Sequence, residues 1–348
     1  MVEIRGAAAY VPRSTDGDRR VGDPDEDEFT MLATAIERLE DGIEPLGGIG
    51  PVVVVGTIAF GAADNVARFL GSPSPIECVG RGPEAFSAAL EKLSSGVSAH
   101  ESALLLAVDR DPGTTGDPGD RGLSHAAIAI WLGGGGANPV ATDAFRSAAP
   151  SSTGPAFAWA ASTAAARVPR WGDWRYDGRA GTRSLPAPAA SAPGGATVSQ
   201  GAYVPWPRYL EATNAHWRLI AAECGACGAL TFPPRGRCRA CESTDPGRSV
   251  RLARDGGRVI ASTRIGAGGQ PTEFDEQVTA YGPYSVVLVE FAAGVRATLP
   301  VALGSGDPPA IGGTVTTRLR RRYPIDGEWR YGRKALVPDP PARGTEGS

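Results

Sequence analysis

The chain is 348 residues long with 42% hydrophobic and 21% charged residues, ordinary globular usage that excludes a wholly disordered or fibrous protein. At roughly 100 to 200 residues per domain it has room for two or three folded units. The formal net charge of -3 conceals a polarity, because residues 1–140 carry 10 basic and 21 acidic side chains (net -11) and residues 247–337 carry 13 and 8 (net +5).

In chain order, Val2–Ile4, Val52–Thr57, Ala103–Val108 and Ala126–Leu132 read as buried strands. Between them, Phe29, Leu32, Ala33, Ile36 and Leu39 recur at helical spacing over Glu28–Leu39, as do Phe86, Ala89, Leu90 and Leu93 over Glu84–Leu93. Apolar strands alternating with amphipathic helices predict a layered α/β unit over residues 1–140, closing near the glycines 133–136. Residues 141–206 shift to Ala, Ser, Pro and Gly and predict a linker that buries no core of its own. Within it, Trp171, Trp174 and Tyr176 suit docking on a folded neighbour.

A short helix is predicted over Pro207–Asn214, followed by the strongest signal in the chain. Cys224, Cys227, Cys238 and Cys241 form two C-x2-C pairs ten residues apart. Each pair makes a turn that points two thiolates at one ion, so the two together supply a tetrahedral four-sulfur site. Gly225 and Gly228 suit the tight turns. Zinc is the expected ion, iron an alternative, since an all-sulfur site accepts either. Two disulfides would satisfy the same spacing only in an oxidising compartment. With four protein ligands the ion has no open position, which makes it structural. The metal ribbon is expected to span residues 207–245.

Beyond the ribbon, over 246–338, Arg258–Arg264, Ser285–Phe291, Val295–Leu299, Thr314–Leu319 and Arg330–Leu336 are short strands parted by Gly, Pro and Asp turns. Five strands in so short a stretch predict a small closed barrel of OB-fold type. Residues 339–348 read as a disordered tail. Arg318, Arg320, Arg321 and Arg322, with Tyr323, Trp329 and Tyr331 nearby, offer charge and stacking surfaces for nucleic acid or for the phosphates of a cofactor. The acidic first unit argues against nucleic acid. No apolar run approaches the ~20 residues of a membrane span, and the start MVEIRGAAAYVPR lacks a signal pattern, so a soluble, cytoplasmic protein is expected.

The ribbon with FPPR between its cysteine pairs, then GRVIAST, YGPYSVVLVE and IGGTV in that order, resembles the acyl-CoA-associated OB-fold family with a rubredoxin-like zinc ribbon, over Trp217–Val337. The resemblance implies an accessory protein that works with thiolase-superfamily condensing enzymes on acyl-CoA thioesters; in archaea the partners are acetoacetyl-CoA thiolase and HMG-CoA synthase. It also implies coenzyme A thioester as a ligand, with Arg320, Arg321 and Arg322 as candidates for its phosphates.

At the other end, IRGAAAYVPR, DEDEFTMLATA, VVVGT and ECVGRGPEAFSAAL resemble the first half of an HMG-CoA synthase. That resemblance implies a thiolase-like half domain and a homodimer formed through it. It also implies that Cys78 is an acyl acceptor, its thiolate favoured by the start of the helix from Pro83. This sequence departs from the pattern at Ile58, where the family has a general acid/base Glu. The linker also leads directly to the ribbon where the family has a second α/β half with a catalytic His. His100, His125 and His216 stand in connections or at element ends and do not replace that His, and Asp109 suits a turn at a strand end. An accessory role is therefore the leading expectation, with acyl transfer through Cys78 alongside a partner subunit second and nucleic-acid binding third.

Overall fold

The computed structural model describes residues 2–12, 15–16, 19–20, 22–42, 49–56, 62–71, 76–80, 82–96, 102–110, 125–134, 166–167, 206–266, 268–303, 308–325 and 328–337. The linker apart from residues 166, 167 and 206, its aromatics Trp171, Trp174 and Tyr176, the tail and His100 lie outside them. The chain divides into two compact units, Met1–Leu185 and Pro186–Ser348.

In the first unit the elements run β1 (Val2–Tyr10), β2 (Thr15–Asp16), β3 (Arg19–Arg20), α1 (Glu28–Gly42), β4 (Ile49–Val55), α2 (Ala62–Leu70), β5 (Glu77–Val79), α3 (Gly82–Gly96), β6 (Ser102–Asp109), β7 (Ala126–Gly134) and β8 (Ala166–Arg167). Six strands form one sheet in the order β5-β4-β6-β7-β1-β8, while β2 and β3 pair only with each other. β4 is parallel to β5 and β6, whereas β7 runs antiparallel to β6 and β1. Every residue of β6 is buried, as an uninterrupted apolar strand requires when both faces of its sheet are covered.

Alternation sorts the core into two layers. On one face Val53, Val55, Leu105, Ala107, Ile128 and Ile130 pack with Phe86, Ala89, Leu90 and Leu93 of α3. α1 also contacts β1, β6 and β7 and packs against α2, with the rings of Phe29 and Phe69 edge to face at 6.1 Å. The start of α1 is held reciprocally: the Asp27 amide donates to Thr30 Oγ1 at 2.8 Å, and the Thr30 amide donates to Asp27 Oδ1 at 2.9 Å.

Strand β1 extends through Ala7–Ala9, well past the expected Ile4. Alanines have little strand propensity alone, but β7 supplies a partner at each of them, with Ala7 opposite Ile130 and Ala9 opposite Ile128. The layered α/β unit is thus as expected from the sequence, while α2 and β5 are additional elements.

The second unit runs α4 (Trp206–Glu211), α5 (Thr213–Arg218), β9 (Ile220–Glu223), β10 (Leu230–Thr231), β11 (Ser249–Arg251), β12 (Gly257–Ile265), α6 (Asp275–Tyr281), β13 (Tyr284–Glu290), β14 (Arg296–Pro300), β15 (Thr314–Ile325) and β16 (Glu328–Leu336). The single helix expected over 207–214 is two short ones. A three-stranded sheet, β10-β9-β11, carries the cysteine turns, and a five-stranded sheet has the order β14-β13-β12-β15-β16. Its core joins Leu219 and Ala221 of the ribbon to Val259, Val287, Val289, Leu299, Val315 and Ala335.

The expected closed barrel is not what the ladders form. The edge strands β14 and β16 meet at one parallel bridge, Val301 with Ala335, reinforced by Ala302 N–H donating to the Ala335 carbonyl at 2.9 Å. β14 ends at Pro300, which has no amide hydrogen to give to a second ladder. No helix among the described residues is long and apolar enough to cross a membrane.

Candidate metal centre

The four ribbon cysteines converge. Their sulfurs all lie within 4.8 Å of one another, with Cys224 Sγ to Cys241 Sγ and Cys227 Sγ to Cys238 Sγ both at 3.7 Å. Zinc–thiolate bonds of about 2.3 Å in a tetrahedron place sulfurs about 3.8 Å apart, so the donor set and its spacing fit one zinc ion with no disulfide. Cys224 and Cys238 are buried, Cys227 and Cys241 exposed.

The two turns repeat one device. Gly228 N–H donates to the Cys224 carbonyl at 2.8 Å and Glu242 N–H to the Cys238 carbonyl at 3.0 Å. The residue after each second cysteine is left-handed, Gly228 at φ 71° and Glu242 at φ 62°. Glycine adopts this conformation freely; Glu242 holds it at some cost in strain. At Gly225 the constraint is room, because a Cβ there would collide with the Asp245 carboxylate. Backbone amides of Cys241 and Ala240 donate to the Cys238 sulfur and lower its pKa to about 7, while Cys241, crowded by the same thiols, is pushed up to about 12.

Cys78 sits in β5, opposite Val54 of β4, and is exposed. Its pKa is raised, first by burial of part of the thiol and then by the carboxylates of Glu77 and Asp64. This is opposite to the lowering expected from the helix start: α3 begins at Gly82, and burial with the two carboxylates decides the direction. His125 is buried and its Nδ1 accepts the Gly22 amide at 2.7 Å, a structural tie. Asp109 is buried at the end of β6. His216 stacks edge to face with Phe232 at 6.3 Å.

Arg320, Arg321 and Arg322 do not act as one group. Arg320 is 1% exposed and donates to the Leu319 carbonyl at 3.0 Å. Arg321 lies over the exposed Trp329 ring, 4.5 Å from its centroid. Arg322 crosses Gly332, where a Cβ would come within 2.6 Å of its Cδ, and faces the Phe274 and Tyr323 rings at 5.9 and 6.0 Å. The ladder with β16 has a register shift between Arg321 and Tyr323, which interrupts the strand's alternation at Arg322.

Two groupings were not singled out from sequence. One is the aromatic knot of Tyr209, Trp217 and Tyr331, which ties the helices before the ribbon to β16. The other is Arg235, Arg237 and Arg239, exposed around the second cysteine turn, whose signal is the alternation R-G-R-C-R.

No curated protein matches the chain. Among solved structures it is similar to the curacin biosynthetic pathway HMG synthase in complex with acetyl donor-ACP (16% identity, TM-score 0.33, 38% of this chain and 41% of that one). It is similar also to PksG, an HMG-CoA synthase from Bacillus subtilis (16%, 0.32, 38% and 40%). A third is the β-ketoacyl-[acyl carrier protein] synthase III (FABH) from Thermus thermophilus (18%, 0.30, 37% and 50%). The matches span about two fifths of the length of the HMG synthase structures. Residues 216–247 match the family described as "ChsH2, rubredoxin-like zinc ribbon domain", and with their four converging sulfurs they form a zinc ribbon of that kind.

Proposed function

We propose that this chain is an accessory protein that binds acyl-CoA thioesters and assists a condensing enzyme of the thiolase superfamily in the cytoplasm. The observation that carries the reading is the ChsH2-type ribbon at 216–247, which runs directly into a five-stranded sheet whose edge strands approach each other at Val301 and Ala335. On this reading 246–338 is an OB-type barrel, 207–245 a structural zinc module, and 1–140 a thiolase-like half domain that docks on the enzyme or on a second copy. Residues 141–206 tether the two. A zinc with four protein thiolates has no position for substrate, so the ribbon's task is to fix the fold. The raised pKa of Cys78 leaves little thiolate at neutral pH, which favours a non-catalytic role.

A second reading, acyl transfer, is favoured by the exposure of Cys78. Its thiolate would attack the thioester carbonyl, forming an S-acyl bond as the bond to the CoA sulfur breaks and CoA leaves as its thiolate. Co-purification of the native protein separates the readings from nucleic-acid binding. Recovery of a thiolase or HMG-CoA synthase, identified by mass spectrometry, supports the accessory role. Recovery of nucleic acid without such an enzyme contradicts it.

A further inference from the structure

Around the second cysteine turn lies an open cavity of about 660 Å³ lined by Arg235, Gly236, Arg237, Cys238, Arg239 and Glu242. Three arginines within five residues line it. Arg237 meets Glu242 at 3.8 Å, and both side chains are mostly in water, so that pair is weak. Arg235 and Arg239 have no hydrogen-bond, ion-pair or ring partner among the described residues.

Gly236 sits between two of the arginines, and a Cβ there would meet nothing within 4 Å, so a ligand can approach the backbone. Like charges held together this way repel unless an anion joins them, and guanidinium forks match phosphate oxygens in pairs. The loop from Pro233 to Glu242 contains no aromatic residue, so it lacks the stacking surface that single-stranded nucleic acid uses. The run Arg320–Arg322, by contrast, is split: Arg320 is buried, Arg321 lies over Trp329 and Arg322 crosses Gly332.

We propose that Arg235, Arg237 and Arg239 form a phosphate-binding site on the zinc ribbon that takes the phosphates of a coenzyme A ligand. This rests on the acyl-CoA reading above for the identity of the ligand, but not for the site. The site holds the charged end of the molecule. Preference for the 3′-phosphate follows from matching charge, since the 5′-diphosphate alone can meet two of the three arginines that line the cavity and leaves the third without an anion.

Calorimetric titration of the full zinc-loaded chain tests it with four probes: CoA, 3′-dephospho-CoA, adenosine 3′,5′-bisphosphate and a thymidine 20-mer. The expected result is CoA binding that weakens at least tenfold in R235A/R237A/R239A. Smaller losses are expected in R235Q and R239Q, with zinc content unchanged in all three variants. Removal of the 3′-phosphate should weaken binding by the wild type more than by the triple variant. CoA binding that is unchanged in the triple variant and lost in R321A/R322A overturns the site and leaves the acyl-CoA reading standing. Binding of the 20-mer but not CoA, lost in the triple variant, keeps a phosphate site and overturns its assignment to CoA. Failure of the wild type to bind any probe overturns both.

Discussion

The phenol of Tyr209 and the backbone of Tyr331 are joined twice across 122 residues: Tyr331 N–H donates to Tyr209 Oη at 2.8 Å, and the hydroxyl donates to the Tyr331 carbonyl at 3.3 Å. Trp217 Nε1 donates to the same oxygen at 3.1 Å, and Arg330 lies over the Tyr209 ring at 4.7 Å. One hydroxyl therefore fastens α4, α5 and β16 together. Burial raises its pKa, so it stays protonated and able to donate at any physiological pH.

Tyr209→Phe keeps the ring and its cation contact but removes the oxygen that accepts from the Tyr331 amide and the Trp217 indole. An unsatisfied buried donor costs about 1–3 kcal/mol, so the second unit should unfold at correspondingly lower urea. An unchanged midpoint, read by Trp fluorescence, would mean water replaces the hydroxyl without cost.

At the ribbon, Cys224→Ser or Cys238→Ser removes one buried sulfur from a site closed by four. Metal content by colorimetric assay should fall to near zero, and the ribbon should lose structure because binding and folding are coupled there. Normal zinc content in either variant would contradict the four-sulfur assignment.

Cys78 should alkylate slowly at pH 7.5 and accelerate only as the pH rises beyond the usual thiol range of about 8.5, because covering of the thiol and the Glu77 and Asp64 carboxylates disfavour the thiolate. Glu77→Gln removes one carboxylate, which favours the thiolate, so the reaction should speed up. Peptide mapping after iodoacetamide treatment reads both; fast alkylation at neutral pH in the wild type would count against the direction of the shift.

His216 should titrate below the ordinary imidazole value of about 6.5, first because its surroundings desolvate the ring and then because Arg322 repels a second positive charge. The unfolded chain takes up the proton more readily, so this group lowers stability as pH falls below about 6.5. In Arg322→Ala the NMR titration midpoint should rise; a midpoint that stays put assigns the shift to desolvation alone.

Much of this organisation is legible in the residues themselves. C-x2-C spacing fixes the ribbon, helical periodicity finds α1 and α3, and the turn-bounded apolar runs find four strands of the second sheet within two positions, while β15 continues past the expected Leu319 to Ile325. What escaped depends on partners far away in sequence. Ala7–Ala9 form a strand because β7 lies beside them, and Tyr209 has a role only because β16 returns to it. The arginines 320–322 look equivalent in a string of letters, yet the fold buries one, stacks the second on Trp329 and lays the third across Gly332. The open edge of the five-stranded sheet turns on where β14 stops, at Pro300.

Binding of acetoacetyl-CoA to the full chain and to Cys78→Ser, followed by intact-mass spectrometry of both, tests the proposed role most directly. The account predicts equal, reversible binding by the two proteins and no mass added to either. Absence of binding, or an acyl adduct on the wild type that disappears in Cys78→Ser, would contradict it.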